Sequence, residues 1–188
     1  MALQFKIQIR NITKPPVWRR VLVPEASDFE YFHLVIQVAF GWENYHLYQF
    51  SKDGYRSDEV IGVPFEDDMD WGPKKRNAAE VHLNEIFTEE GQKLLYNYDF
   101  GDDWEHLITL EKITDETIVQ PKLLAAKGTC PPEDCGGPWG YENLKVILSD
   151  KKHPEHKEMK AWLGMKAHDQ WDAAYVDSGE VNSMLREL

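Results

Sequence analysis

The chain has 188 residues, 42% of them hydrophobic and 12% aromatic, which is enough for one ordinary core. Two cysteines are too few for a disulfide-built secreted domain, and no apolar run approaches the ~18 residues that a membrane span requires. The net charge of −12 lies in one part: residues 1–60 hold seven Lys/Arg against seven Asp/Glu, and residues 61–188 hold 14 against 26, so a basic face for duplex nucleic acid is excluded beyond a local patch.

Residues 3–10, LQFKIQIR, alternate, with Leu3, Phe5, Ile7 and Ile9 on one face, and predict a half-buried strand. Its early charge at Lys6 is unlike the apolar centre of a signal peptide, so a cytoplasmic protein without membrane contact is expected. After the turn-rich NITKPP, VWRRVLV alternates again and predicts the second strand of an antiparallel hairpin. Asp28 suits the cap of a helix over 29–40, whose apolar stripe is Phe29, Phe32, Ile36, Ala39 and Phe40, and Gly41 suits its end. HLYQFS at 46–51 reads as a strand. Residues 62–77 have no period and read as an exposed loop or insert. AAEVHLNEIF predicts a short helix, and 93–113 a second hairpin with strands 93–99 and 104–112. Pro138 and Pro154 each suit a first helical turn, and EVNSMLREL a last short helix. Strands come first and helices last. This predicts one α+β domain, 1–188: a mainly antiparallel sheet built from hairpins, one covering helix, and a helical segment 138–188 packed on the sheet.

The densest chemistry is YDFGDDWEH at 98–106. Asp and Gly are what a hairpin connection wants, and in strand register His106 shares a face with Trp104 and Ile108, as a core histidine would. Alternatively Asp99, Asp102, Asp103 and Glu105 converge as hard oxygen ligands for a divalent ion, with Asp102, Asp103 and His106 as catalytic candidates. CPPEDCGGPWGY at 130–141 offers Cys130 and Cys135, which with His153 and His156 would make a Cys₂His₂ set of non-standard spacing. Cys135 also precedes a helix start, where a thiolate is stabilised, whereas the prolines and glycines equally describe a rigid loop with buried thiols. Arg19 and Arg20 beside Trp18 would grip a phosphate or base, or protect an edge strand. Trp42 and His46 lie in the aromatic run FGWENYHLYQF, read as core packing or as a ligand groove. Walker A, G-x-S-x-G and H-E-x-x-H patterns are absent.

PPVWRRVLVP, AFGWENYHLYQF, LLYNYDFGDDWEHLITLEKI and CPPEDCGGPWGY, in that order, resemble the motifs of the plasmid pRiA4b ORF-3-like family, and the resemblance spans nearly the whole chain except 55–80. It implies a family without assigned catalytic residues, some of whose members sit on plasmids or insertion elements and carry a resolvase-like label. The six serines here lack the arginine-rich setting of a serine resolvase. Three functions follow as expectations. The first is a non-enzymatic interaction module whose acidic face binds a protein partner. The second is a metal-dependent hydrolase of the phosphoester class, with a divalent ion as cofactor. The third is a nucleic-acid-associated protein of mobile elements, using residues 10–20.

Overall fold

The computed structural model describes residues 1–64 and 73–188. Two long hairpins and a helix organise it. Strands β1 (Ala2–Ile9) and β2 (Trp18–Pro24) pair antiparallel, helix α1 (Phe29–Phe40) follows, and β3 (Tyr48–Ser51) and β4 (Glu59–Gly62) form a short hairpin. Next come β5 (Lys74–Asn77), the single-turn helix α2 (Leu83–Ile86), β6 (Lys93–Tyr98), β7 (Trp104–Thr114) and β8 (Lys122–Lys127). Helices α3 (Gly137–Ser149), α4 (His156–Trp162) and α5 (Ser178–Leu185) end the chain. One eight-stranded sheet runs in the order β5-β4-β3-β6-β7-β1-β2-β8, antiparallel throughout except between β4 and β5.

The period-2 pattern of β1, β2 and β7 has a plain cause: one sheet face is covered and the other meets solvent. On the covered face the ring centroids of Phe5 and Phe32 lie 4.8 Å apart and those of Phe29 and Phe50 4.9 Å apart, joining β1, α1 and β3 in one aromatic core. On the open face Arg20 pairs with Glu111, which also accepts from Gln4. The Asp28 side chain accepts from the Tyr31 amide at 2.7 Å, and Gly41, at φ +91°, closes α1 in the left-handed conformation. At the sheet edge, Asn182 of α5 accepts from the Leu123 amide and donates to the Leu123 carbonyl, so a side chain occupies part of the unpaired edge of β8.

Four local expectations change. The strand expected from His46 begins at Tyr48, leaving His46 in the preceding loop. The expected insert 62–77 is bounded by the paired strands β4 and β5, and its centre, 65–72, lies outside the described residues. AAEVHLNEIF divides into a 3₁₀ turn, Ala78–Glu80, and α2, because Val81 pulls in against α1, its carbonyl accepting from the Phe29 amide. Pro154 precedes rather than opens α4. Among the described residues no helix is long and apolar enough to cross a membrane.

Candidate metal centre

Three loops meet at one end of the sheet. The first, 41–47, links α1 to β3; the second, 99–103, is the tip of the β6–β7 hairpin; the third, 128–136, links β8 to α3. The Asp99 amide donates to the Leu47 carbonyl at 2.9 Å, extending the β3–β6 ladder by one bond and bringing the hairpin tip beside His46. Asp99 and Asp103 both take φ +54°, and the Asp103 amide donates back to the Asp99 carbonyl, which folds the tip tightly. The third loop is tied in by Glu133, whose Oε1 accepts from the Glu43 amide at 2.8 Å and from the Tyr98 hydroxyl at 2.9 Å.

These ties gather three carboxylates around His46 Nε2. His46 Nε2 lies 3.4 Å from Asp134 Oδ1, 3.7 Å from Asp99 Oδ2 and 3.8 Å from Glu133 Oε2. The ligand atoms of His46, Asp99 and Asp134 all fall within 4.8 Å of one another. Asp99 uses Oδ1 to accept from the Gly101 amide and Glu133 uses Oε1 as described, so each is oriented by one oxygen and presents the other. His46 Nε2 and Glu133 Oε2 are buried and have no hydrogen-bond partner. Buried polar atoms ordinarily find one, and tetrahedral zinc bonds of about 2.0–2.1 Å place ligand atoms about 3.4 Å apart. The separations of the three carboxylates from His46 are close to that, and Asp134, whose side chain is 73% exposed, is free to adjust. Imidazole with three carboxylates is a donor set for zinc or manganese rather than for a thiophilic ion.

The supporting shell is aromatic. Tyr98 is buried, donates to Glu133 and accepts from the Tyr45 amide at 3.1 Å, while its ring lies 5.1 Å from that of Trp42. Burial, then the bond to Glu133, push the Tyr98 hydroxyl well above the usual phenol range, so it stays a donor.

Of the acidic run, the structure brings only Asp99 to this point. Asp102 accepts from the Gly136 amide at 3.0 Å, Asp103 accepts from the Tyr55 hydroxyl at 2.8 Å and from Asn97, and Glu105 pairs with Arg10. His106 is fully buried. Its Nδ1 donates to the Trp104 carbonyl at 2.9 Å, and burial lowers its pKa to about 4, so it is neutral and cut off from solvent. Cys130 and Cys135 are free thiols. Burial raises both, Cys135 to about 12 with Asp102 adding to the shift, so neither is a ready thiolate. His156 donates to the Ile147 carbonyl and His153 accepts from the Glu155 amide, so both serve the α3–α4 junction. Arg19 is buried, with Nε on the Ala39 carbonyl and Nη1 on the carbonyls of Trp18, Lys127 and Gly128, and is not available to a phosphate. Arg20 is engaged by Glu111 and stacks over Trp18. Trp42 is buried against Tyr98 and Trp104. Sequence reasoning passed over Glu133 and Asp134. The signal was present, two acids enclosed by CPP and CGG, but the cysteines beside them drew the metal assignment.

Fold and site together define an α+β protein with a one-sided antiparallel sheet whose end loops gather one histidine and three carboxylates. The family model described as plasmid pRiA4b ORF-3-like protein matches residues 1–180, and the chain belongs to that family. A relative from Sinorhizobium fredii (strain NBRC 101917 / NGR234), uncharacterized protein y4hQ, is 36% identical over 189 residues, covering 100% of this chain and 92% of the relative. The crystal structure of a protein of unknown function, MM3350 from Methanosarcina mazei Go1, superposes with a TM-score of 0.79 at 34% identity, covering 95% of this chain and 96% of that one.

Proposed function

We propose that the protein binds one divalent transition-metal ion, zinc by preference, through His46, Asp99, Glu133 and Asp134, and that the centre serves metal-dependent hydrolysis. The supporting observation is the pair of buried, unpartnered atoms, His46 Nε2 and Glu133 Oε2, facing each other 3.8 Å apart with two further carboxylates beside them. A protonated imidazole offsets one of three negative charges. A dication offsets two and gives every ligand atom a directed partner. Three ligands are held by their surroundings and one stands on the surface, so release of Asp134 opens a coordination position, the feature that distinguishes catalytic from structural zinc sites. Bound there, an ion supplies Lewis acidity and an activated water. The chain's own part is to hold Asp99 and Glu133 in one orientation through Gly101, Glu43 and Tyr98.

The test is elemental analysis of protein purified without chelator, followed by titration of the stripped protein with Zn²⁺ and Mn²⁺ under calorimetry. One ion per chain, lost in His46→Ala, and metal-dependent turnover of chromogenic phosphoesters are expected. Failure of both ions to bind the stripped wild type overturns the proposal, and binding without turnover of any ester removes its hydrolytic half.

A further inference from the structure

On the other side of the hairpin tip, away from His46, a groove of about 900 Å³ runs between Asp102 and Asp103 and the first turns of α3. Its floor exists because position 137 is glycine at φ +67°: a Cβ there would lie 2.5 Å from the Asp102 carbonyl oxygen, so only glycine lets the tip approach the helix start this closely. Trp139 stands on the wall, 88% exposed, a large aromatic surface without packing. Asp102, Asp103 and Glu142 line the same space, and among the described residues no lysine or arginine does. Each carboxylate commits one oxygen internally, to the Gly136 amide, to Tyr55 with Asn97, and to Lys145 respectively, and keeps the other. Lys145 partly offsets Glu142, so the net field in the groove comes from Asp102 and Asp103. The Gly136 amide, at the cap of α3, is already taken by Asp102.

We propose that this groove is a docking site for an arginine-bearing peptide segment of a partner protein. A guanidinium satisfies both features at once: its face stacks on an exposed indole and its edge pairs with a free carboxylate oxygen. An anionic segment or a nucleic-acid backbone meets the wrong charge on the same walls. The site shares none of the four metal ligands, so it stands or falls independently of the metal centre.

The experiment is fluorescence anisotropy of the full chain with a fluorescein-labelled peptide carrying two arginines separated by leucine, run with and without chelator. Saturable binding below about 1 mM is expected, weaker for the lysine version and absent for the glutamate version. Trp139→Ala, which changes no charge, should weaken binding about fivefold or more, whereas Trp162→Ala, an exposed indole on α4, should not. Asp103→Asn should weaken it in a salt-dependent way. No saturable binding by the wild type overturns the proposal. So does equal affinity of wild type and Trp139→Ala, because attraction would then be only the acidic surface acting on a cationic peptide.

Discussion

Two clusters among the described residues that hold unpaired buried polar atoms differ in charge. Beneath Trp42, the indole nitrogens of Trp42 and Trp104 and His106 Nε2 lack partners in an interior walled by Phe40 and Tyr96. At the loop junction, His46 Nε2 and Glu133 Oε2 lack partners with Asp99 and Asp134 crowded around them. In the interior the exposed alternative is simply removed: His106 is neutral, its tautomer is fixed by the Trp104 carbonyl, and aromatic contacts compensate for the missing bonds. At the junction, carboxylates and an imidazole are brought together by ties from three separate loops. An unpaired atom alone fits a tight core; one aimed at several anions is what the proposed ion would satisfy.

The sharpest way to break this comparison is to exchange the effects of the two histidines. His46→Ala should abolish Zn²⁺ binding, a loss of at least about a hundredfold in affinity, and change the stability of the metal-free protein by less than about 1 kcal/mol, as read by calorimetry and urea unfolding. At 100-fold excess over Kd, Zn²⁺ should stabilise the wild type by about 2.7 kcal/mol and the variant not at all. His106→Ala should do the reverse, costing about 2–4 kcal/mol through an aromatic-lined cavity while leaving the metal stoichiometry at one. Metal loss in His106→Ala with a folded circular-dichroism spectrum would erase the distinction.

The interior region also sets an acid limit. His106 and His33 both have folded-state pKa values near 4, below the ordinary 6.5, with burial as the first cause in each. The unfolded chain therefore binds more protons than the folded one between those values. Stability should be full above pH 6.5 and fall as pH drops toward 4, by about 3 kcal/mol per histidine at the lower end. Urea midpoints at pH 7 and pH 4.5 measure this, and His106→Gln should flatten the slope by one proton. An unchanged slope would mean that His106 is charged in the fold.

The same contrast explains what was legible in the sequence. The long strands announced themselves because the sheet is covered on one face, so Phe5 alternates with Lys6 and His106 with Leu107. KKRN of β5 and KLLAAK of β8 carry no such alternation; they are strands because a neighbour pairs with them. Asp99 is legible as one of four acids in a candidate metal set, but nothing in the run separates it from Asp102, Asp103 and Glu105. The folded tip sends Asp99 toward His46 and Asp102 toward Gly136, a divergence of two ends of one turn that residue spacing does not encode. Glu133 reaches the site because the amide of Glu43, 90 residues away in sequence, and the Tyr98 hydroxyl hold it there.

Smaller changes grade the junction from its support to its rim. Tyr98→Phe removes the hydroxyl that orients Glu133 and should weaken Zn²⁺ about 10- to 100-fold, at a stability cost of about 1 kcal/mol. Asp134→Asn should act least. Its side chain is exposed and has no tie of its own, so the ion loses one anionic ligand from the solvent side and keeps the three that the fold positions. A loss of under about tenfold is expected, because water can enter the vacated position. If Asp134→Asn instead costs as much as His46→Ala, the fourth ligand is obligatory and the centre is closed. That result would keep the metal but remove the open position on which hydrolysis depends. The two variants, titrated side by side with Zn²⁺, therefore separate a metal that reacts from a metal that only fastens three loops.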